Sequence, residues 1–412
     1  MRDHFDVAVI GAGAAGLAAA KRLAGTGLEV VVLEARGRVG GRTHTVRPSP
    51  DLPLDAGAGW LHSADVNPLV AAIEALGFAI DRSPPTWERQ DGNQDFPAED
   101  QRAFRAAWAA FEARLEAAAR AGLEGSAAEF MDTDGRWNAL IDAVSSYYNG
   151  TEYDRVSVQD YAAYQDSNVN WRVRDGYGTA VAALGAGVEA VLDCAVETVD
   201  HGLDPIRLAT ARGGLSARAV IVAAPTPLLA EEKITFTPAL PAKAEAAAGL
   251  PLGLANKVFL ALDRPDGLPV EGHLFGRVDR AATGSYNLRP FGRPYIEGFV
   301  GGRHAHDLEA AGPGAATAFA VDELVRLMGS DFRRRVTPIG ETAWGLEPWS
   351  MGSYSAALPG CAGARATLAA PVEGRLFFAG EATHPSAFST VHGAWESGER
   401  AAVEALAALA GS

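Results

Sequence analysis

The sequence of 412 residues has few cysteines and no long hydrophobic run, and both absences narrow what the protein can be. Its two cysteines, Cys194 and Cys361, exclude a disulfide framework and form no C-x-x-C metal motif. The most apolar stretches are short and interrupted by glycine, so we expect no membrane-spanning helix. The first residues, MRDHFDVAVIGAG, lack the pattern of a secretory signal, which makes a cytoplasmic location our expectation.

The chain also has fewer basic than acidic residues. The chain has 36 lysines and arginines against 51 aspartates and glutamates, which gives a formal net charge of −15. This charge argues against a nucleic-acid partner, because phosphate binding requires a positive surface. It is compatible with steering of a cationic substrate, and also with solubility alone.

The N-terminal segment FDVAVIGAGAAGLAAAKRLAGTGLEVVVLEARGRVGGRT has the pattern of a βαβ dinucleotide-binding unit. An apolar strand leads into the GxGxxG glycines Gly11, Gly13 and Gly16, and a helix and a second strand follow. The first glycine permits a tight turn, the second admits a pyrophosphate, and the third lets the helix pack on the strand. The second strand ends at Glu34, at the spacing of the acid that binds ribose hydroxyls.

The glycine motif does not distinguish NAD from FAD, but the residues after Glu34 do. The stretch RVGGRT, residues 38–43, resembles the flavin-dependent amine oxidases, the family of monoamine oxidases, polyamine oxidases and histone lysine-specific demethylases. STVHGAWESGERAA, near the C terminus, resembles polyamine oxidases and lysine demethylases in particular. The resemblance covers most of the chain and is weakest over residues 85–145. It implies FAD as the cofactor.

Dinucleotide-type strands and helices recur at the start, in the middle and at the end of the chain, as they do in this family. We therefore predict an α/β fold in which a discontinuous Rossmann-like FAD-binding domain carries an inserted α+β substrate-binding domain. The FAD-binding domain is predicted to comprise residues 1–65, 170–235 and 336–412. The substrate-binding domain is predicted to comprise residues 66–169 and 236–335.

By this resemblance, FAD contacts several separate segments. Glu381, at the end of a buried strand, is expected to accept hydrogen bonds from the ribityl hydroxyls. Thr390 is expected to cap a helix from Val391 to Ala408, whose N-terminus stabilises the anionic reduced flavin. The candidate cofactor-binding residues are Gly11, Gly13, Ala14, Ala15, Gly16, Glu34, Ala35, Arg36, Gly40, Gly41, Arg42, Gly57, Ala58, Gly59, Trp60, Val196, Trp344, Trp349, Gly380, Glu381, Thr390 and Val391.

Four residues are candidates for catalysis: Lys257, Tyr354, His62 and Thr390. Lys257 lies in an apolar strand, where a lysine is costly without a partner, and the resemblance implies that it reaches flavin N5 through a water. Tyr354 matches a tyrosine of the family's aromatic cage, which suits an amine. His62 matches an active-site histidine of polyamine oxidases, although a structural role fits it equally. At Thr390 monoamine oxidases have a second cage tyrosine, so small arylalkylamines are disfavoured.

The resemblance implies hydride transfer from the amine α-carbon to flavin N5, hydrolysis of the imine and reoxidation by O2, which gives H2O2. The expected substrate is a polyamine or diamine, and Glu152, Asp160 and Asp166 are candidate acids for its distal nitrogens. The expected partners are thus a small-molecule amine and O2, with no nucleic acid and no membrane. The sequence does not indicate an oligomeric state.

Other interpretations stay open. An L-amino-acid oxidase shares the fold and cofactor, but GAGWLH lacks the arginine that usually clamps a carboxylate there. A desaturase or porphyrinogen-type enzyme would favour a more apolar tunnel, and a non-catalytic flavoprotein or chromatin-type module would not need Lys257 or the aromatic residues. His384 and His392 suggest a metal pair, but no further ligands lie at suitable spacing, so no metal is expected.

We predict that FAD is bound non-covalently. Ser353 stands where covalent monoamine oxidases carry the cysteine that attaches the flavin. Precipitation of the yellow protein with acid or heat should therefore release the flavin into the supernatant, where its absorbance is measured. Flavin that stays with the precipitate would contradict the prediction.

Overall fold

The computed structural model describes residues 3–87, 90–91 and 95–411, which form a mixed α/β fold. Over these residues the strands are β1 His4–Ile10, β2 Val30–Leu33, β3 Thr45–Val46, β4 Leu54–Asp55, β5 Ile80–Asp81, β6 Arg172–Val173, β7 Ala190–Val191, β8 Val196–Asp200, β9 Ile206–Thr210, β10 Gly213–Val222, β11 Thr235–Thr237, β12 Ala255–Leu262, β13 Gly272–Phe275, β14 Ser285–Leu288, β15 Tyr295–Gly301, β16 Val336–Glu341 and β17 Leu376–Phe378.

The α-helices lie between and after these strands. They are α1 Ala14–Leu23, α2 Pro68–Ala75, α3 Ala98–Arg120, α4 Asn138–Tyr148, α5 Val158–Ala163, α6 Tyr177–Leu184, α7 Thr226–Ala230, α8 Pro241–Ala248, α9 Gly302–Ala310, α10 Ala315–Met328, α11 Ala364–Ala369 and α12 Val391–Ala410. No helix in the described part of the chain is long and apolar enough to cross a membrane.

The chain divides into two compact units. The first unit comprises Met1–Arg82, Ala163–Pro251 and Cys361–Ser412, and the second comprises Ser83–Ala162 and Leu252–Gly360. Each unit has its own sheet and its own apolar core. The three-part and two-part organisation is therefore the one expected from the sequence, but the boundaries differ.

The largest boundary difference lies near the C terminus, where residues 336–360 fall in the second unit and not in the predicted FAD-binding domain. The reason is strand pairing, because β16 pairs antiparallel with β12 of the second sheet. Conversely, residues 236–251 stay in the first unit. There the Lys243 ammonium of α8 donates to the carbonyls of Thr367 and Leu368 in α11, at 2.7 and 3.0 Å.

Two smaller differences complete the correction. Residues 66–82 belong to the first unit, because Leu69 and Ile73 of α2 are buried in its core. Residues 163–169 belong there as well, since the backbone N–H of Gln165 donates to the carbonyl of Ser386 at 2.9 Å.

The sheet of the first unit has eight strands in the order β11-β8-β9-β10-β1-β2-β7, and β17 pairs with the C-terminal part of β10. The pairs β10–β1, β1–β2, β2–β7 and β10–β17 are parallel. The sequences of β1, β10 and β17 end in apolar runs because both faces of the sheet are covered. Parallel pairing places the carboxyl ends of these three strands at one edge.

The sheet of the second unit is antiparallel, in the order β13-β14-β15-β12-β16. Its side chains alternate between faces. One face carries Val258, Leu260 and Ile296, which pack with Ala320 and Leu324 of α10 in the core of this unit. Residues at the alternate positions of β12 and β15 therefore point to the opposite face.

Helices α1 and α12 pack together in the first unit through residues without bulk. A Cβ atom added at Gly398 would lie only 2.0 Å from the carbonyl oxygen of Ala15. The neighbouring buried residues of α12 are the alanines Ala401, Ala402 and Ala405. The small residues of the C-terminal segment therefore let α12 approach the backbone of α1.

We predict that Gly398→Ala destabilises the protein, although alanine favours helices by about 1 kcal/mol. The added methyl group must displace backbone, and overpacking costs about 1–3 kcal/mol or more. Thermal unfolding would show a lower Tm than for the wild type. Gly363→Ala is the control, because its Cβ would meet no atom within 4 Å. Equal Tm values for the two variants would contradict the packing.

Candidate active site

The first candidate site lies where the parallel strands β1, β10 and β17 end, which is the edge where open α/β sheets bind ligands. Gly11 follows β1 with φ +98°, and a Cβ there would lie 2.9 Å from the Ala223 carbonyl oxygen after β10. Gly380 follows β17 with φ +130°, and a Cβ there would meet nothing within 4 Å. Both glycines are therefore needed for the turn of the backbone.

The glycine loop between β1 and α1 leaves room for a ligand at one position. A Cβ at Gly16 would lie 1.8 Å from the Gly11 carbonyl oxygen, so Gly16 is fixed by packing of the protein itself. A Cβ at Gly13 would meet only the Cα of Gly41, at 3.9 Å. Gly13 also caps α1, which starts at Ala14, without a side-chain hydrogen bond. The first N–H groups of α1 are thus presented to a ligand, as phosphate binding requires.

The turn containing Gly40 and Gly41 packs on this loop. The N–H of Gly40 donates to the Ala12 carbonyl at 2.8 Å, and a Cβ at Gly41 would lie 3.1 Å from the Cα of Gly13. The contact between the two segments is thus made by backbone atoms. A side chain at Gly41 would force the two segments apart.

Glu34 is fixed beside the glycine loop and is only 3% exposed. Its Oε2 accepts from the N–H of Ala12 at 2.7 Å, and its Oε1 accepts from the N–H of Arg36 at 2.8 Å. The carbonyl of Glu34 accepts from the N–H of Cys194 at 2.8 Å, which brings up the segment that leads to Val196. The predicted cofactor-binding residues Glu34 and Val196 therefore lie on neighbouring segments.

Arg42 and Glu381 are 339 residues apart in the sequence and form an ion pair of 3.0 Å. The other oxygen of Glu381 accepts from the N–H of Ser389 at 2.8 Å. The two residues line a small pocket together with Gly380 and with Ala224, Pro225 and Thr226. The sequence analysis missed the last three, although the turn AAPTP directly after an apolar strand was a usable signal.

Residues 57–60 run beside the RVGGRT turn, since the N–H of Ala58 donates to the Arg42 carbonyl at 3.2 Å. The guanidinium carbon of Arg172 lies 4.8 Å from the centre of the Trp60 ring. This stacking fixes the indole in the first unit. Together, these segments and the glycine loop fit a dinucleotide flavin: an open Gly13, uncapped helix N–H groups and a buried acid.

Thr390 is the N-cap of α12, as predicted. Its Oγ1 accepts from the N–H of Gly393 at 3.0 Å and donates to the Ala387 carbonyl at 2.6 Å. The helix begins at Val391. Since the hydroxyl of Thr390 is engaged on both sides, its position supports a role in placing α12.

His384 is engaged in hydrogen bonds within the C-terminal segment. Nδ1 of His384 accepts from the N–H of Ala387 at 2.7 Å, so Nε2 carries the proton and donates to Glu396 at 2.9 Å. Among the described residues, no group of three or more histidines, cysteines and acids is placed to hold a metal.

A second cluster in the first unit contains His62, Asn170, Asp166 and His392. Nδ1 of His62 donates to Oδ1 of Asn170 at 2.6 Å, which leaves Nε2 as an acceptor. Burial lowers the pKa of His62. Burial, together with the charges of His62 and His384, lowers the pKa of His392 to about 4. Both imidazoles are therefore neutral at pH 7 and can accept hydrogen bonds.

In the second unit, the partner that Lys257 requires is Glu297. The Lys257 ammonium lies 2.9 Å from Oε1 of Glu297, and the two residues are 7% and 8% exposed. The ring centre of Phe299 lies 5.0 Å from the ammonium. The sequence analysis missed Glu297, because only the strand register places it beside Lys257.

Ser353 and Tyr354 lie next to the strand that carries Lys257. The Ser353 hydroxyl donates to the carbonyl of Ala255 and accepts from its N–H, both at 2.9 Å. The Tyr354 hydroxyl donates to the Tyr147 carbonyl. Burial raises the pKa of Tyr354, so its phenol is protonated at neutral pH.

The two predicted tryptophans are placed differently. Trp344 is buried in the core of the second unit, and its backbone N–H donates to Oδ1 of Asn256 at 3.0 Å. Trp349 is half-buried, and its backbone N–H donates to Glu347 at 3.2 Å.

Comparison with known proteins identifies the family of the chain. The family of flavin containing amine oxidoreductases matches residues 14–406. Polyamine oxidase 4 of Oryza sativa subsp. japonica is 30% identical over 432 residues, which cover 97% of this chain and 88% of the relative. Polyamine oxidase 2 of Arabidopsis thaliana is 30% identical, with coverages of 96% and 87%. The chain therefore belongs to the flavin-containing amine oxidoreductases and is an amine oxidase.

Other similar proteins agree with this assignment. A lysine-specific histone demethylase 1 homolog of Oryza sativa subsp. japonica is 29% identical, and the match covers 97% of this chain but 57% of that protein. Wild-type putrescine oxidase bound to putrescine has a TM-score of 0.78 at 22% identity, covering 98% and 99% of the two chains. Cyclohexylamine oxidase from Brevibacterium oxydans IH-35A has a TM-score of 0.75 at 23% identity, with the same coverages.

Four expectations from the sequence are thereby confirmed: the family, the α/β fold with a Rossmann-like dinucleotide-binding unit, the flavin cofactor and the enzyme class. The roles of individual residues stay predictions.

We predict an acid-sensitive stability that depends on His392. The pKa of His392 is about 4 in the folded protein, whereas the ordinary value for histidine is 6.5, so below pH 6.5 the unfolded chain takes up a proton that the folded protein does not. Stability is therefore full above pH 6.5 and falls as the pH approaches 4. Between pH 7 and 4.5 the wild type should lose about 2–3 kcal/mol more than His392→Gln in urea unfolding.

His306→Gln, at an exposed position, is the control and should follow the wild type. An unchanged pH dependence in His392→Gln would show that the buried imidazole of His392 is not the cause.

Proposed function

We propose that the protein is an FAD-dependent oxidase of diamines or polyamines that uses O2 as acceptor and produces H2O2. The observation that carries this proposal is the group of hydrogen-bond acceptors around His62 and Asp166 in the same unit as the dinucleotide site. Polyamines carry several N–H donors and positive charges. A carboxylate and a neutral imidazole can accept these donors and select against simple monoamines.

Of the three candidate acids, Asp166 fits this role best. Glu152 is held by Arg303, whose N–H donates to it at 3.0 Å and whose guanidinium lies 3.5 Å away. Asp160 accepts from the N–H of Ala357 at 3.0 Å, which ties two segments together. Asp166 accepts from Ser63 at 3.1 Å through Oδ1 and lies close enough to His62 to affect its pKa.

The first unit is proposed to hold FAD without a covalent bond, with Glu34 at the ribose and the start of α1 at the pyrophosphate. Arg42, Gly380 and Glu381 are proposed to border the ribityl and ring portions. When bound, the flavin would supply the redox chemistry, namely a hydride acceptor at N5 for the amine α-carbon and a source of electrons for O2. The imine product is released to water for hydrolysis.

The protein groups are proposed to orient and tune this chemistry. The N-terminus of α12, held by the Thr390 cap, offers positive dipole charge toward developing anionic charge. Tyr354 presents an aromatic face to the amine, and its protonated hydroxyl is fixed by Tyr147. Lys257 is proposed to assist the oxidative half of the reaction. Two free cysteines, Cys194 and Cys361, are compatible with the reducing conditions of the cytoplasm, which is the proposed location.

Oxidation of amino acids is a second candidate, favoured by one observation. Arg172 is buried and stacked on Trp60, inside the first unit and near the residues that the flavin is expected to contact. A guanidinium in such a place can bind a carboxylate in bidentate fashion. Arg172 would then bind the substrate carboxylate in place of the arginine that GAGWLH lacks.

The decisive experiment is anaerobic bleaching of the bound flavin. We expect putrescine, spermidine or spermine to bleach the oxidised flavin band faster than phenylethylamine or amino acids. Bleaching by amino acids alone would favour the second candidate. An absence of bleaching with every compound would contradict the proposed substrate class.

Asp166→Asn tests the substrate role within the same assay. Loss of the carboxylate should raise the KM for polyamines by at least about tenfold and leave phenylethylamine nearly unaffected, because a charge-assisted contact contributes about 1.5–3 kcal/mol. Asp65→Asn is the matched control, since Asp65 is an exposed acid that binds Ser167 on the same segment. Equal effects of the two variants would exclude Asp166 as the substrate contact.

A further inference from the structure

One face of the second sheet carries hydrogen-bonding residues on four adjacent strands, although most of them are buried or half-buried. We call this set the polar face; it consists of Lys257, His273, Ser285, Asn287 and Glu297. The register explains why they meet. Asn287 is directly opposite Glu297, and Phe299 is opposite both Ser285 and Lys257. Side chains that alternate with the apolar core positions are thereby collected on one surface.

Contacts across the strands connect these side chains. Oε1 of Glu297 lies 2.9 Å from the Lys257 ammonium, and Oε2 accepts from Nδ2 of Asn287 at 3.4 Å. Nε2 of His273 lies 2.8 Å from Oγ of Ser285. Each carboxylate oxygen of Glu297 therefore has a donor, and one of the two donors is a full positive charge.

Burial makes the pairing of Lys257 and Glu297 necessary. An ammonium removed from water is unstable as a charged group unless a carboxylate lies beside it, and it otherwise gives up its proton. The same holds for a carboxylate left without its cation. Lys257 and Glu297 are each less than a tenth exposed, so neither is stable as an ion alone. The direct consequence is that the state of Lys257 depends on Glu297.

We propose that Glu297 is a positioning residue for amine oxidation: its carboxylate keeps the Lys257 ammonium charged and fixed on the polar face, so that the two side chains act as one ion pair. The inference rests on the proposed function, because it takes up the role of Lys257 in the oxidative half-reaction. The inference goes further, because it assigns to Lys257 the role of a fixed cation. Lys257 in this form cannot remove a proton from the substrate amine.

A fixed cation has a clear use when oxygen is reduced. Formation of H2O2 consumes two electrons and two protons; the electrons and one proton come from the reduced flavin, and the other proton comes from solvent. Negative charge develops on oxygen before protonation is complete, and a preorganised positive charge stabilises it. Lys257 keeps its own proton at Nζ throughout. Glu297 is needed because the cation must already be present before oxygen arrives.

The test compares flavin bleaching by amine with reoxidation by air in the flavin-loaded enzyme. Lys257→Met and Glu297→Gln should each slow reoxidation by at least about tenfold, as expected for loss of a preorganised charge, while bleaching changes much less. Glu297→Asp retains the charge and should recover part of the reoxidation rate. A purely structural carboxylate would not change one half-reaction selectively or respond to the conservative variant.

Thermal unfolding gives a second readout that does not depend on activity. Each single variant should lower the Tm by about 5–10 °C, because it leaves one buried charge without its partner. The double variant Lys257→Met/Glu297→Gln should be no less stable than either single variant, since no unpaired charge remains. Additive losses in the double variant would contradict a mutually dependent pair.

Glu323→Gln is the matched control. Glu323 is also a buried acid of the second unit, but its carboxylate accepts from the neutral donors Thr283, Gly284 and Tyr286, each at 2.8 Å. This variant should lower the Tm without changing the ratio of reoxidation to bleaching. A changed ratio in Glu323→Gln would show that the effect of Glu297→Gln comes from general damage to the fold.

Three outcomes would overturn the inference in different ways. Slow reoxidation in Lys257→Met together with normal reoxidation in Glu297→Gln would leave Lys257 in its proposed role and remove Glu297 from it. A raised KM for diamines alone in Glu297→Gln would make Glu297 a substrate-binding residue instead. Normal reoxidation in Lys257→Met, in an enzyme that amines still bleach, would contradict the proposed role of Lys257 itself.

Discussion

The close contact between α12 and α1 is the constraint on which the candidate cofactor site depends. Gly398 lies so near the backbone of Ala15 that no side chain fits between the helices. The two helices begin close to the ends of β1 and β17, so their contact fixes both N-termini relative to the edge of the sheet. The glycine loop after β1 and the Thr390 cap are thus connected through packed helices within the first unit, although they lie almost 380 residues apart in the sequence.

Charge pairing has a similar organising effect in each unit. Arg42 and Glu381 join an early turn to the C-terminal segment in the first unit, and Lys257 and Glu297 join two strands in the second. In both pairs the carboxylate accepts a further hydrogen bond, as a buried acid requires. Pairs of this kind contribute little net stability compared with apolar residues, but removal of one partner is costly. They therefore restrict which side chains these positions tolerate, and they hold their charges in fixed places for chemistry.

The structural features that the sequence predicted are those with a local signature. The GxGxxG loop, Glu34 and the Thr390 cap each depend on residues within a few positions or one βαβ unit, so their spacing is informative. Glu297 was missed, and the boundary near residue 336 differs from the predicted one. Each of these depends on strand order or register: β16 joins the second sheet through β12, and Glu297 meets Lys257 only because β15 pairs with β12. Trp344 lies in a segment that resembles the family, and its side chain packs in the core of the second unit.

The sequence by itself determined the family, the nucleotide-binding loop and the small-residue character of the C-terminal helix, because these follow from local backbone requirements of glycine, caps and apolar strands. Only the tertiary structure decided which acids are engaged elsewhere, which histidines are neutral and which carboxylate accompanies Lys257. These properties depend on burial and on contacts between residues far apart in the chain. Desolvation and hydrogen bonding set the charge of a side chain, and neither is defined until the surrounding strands and helices are in place.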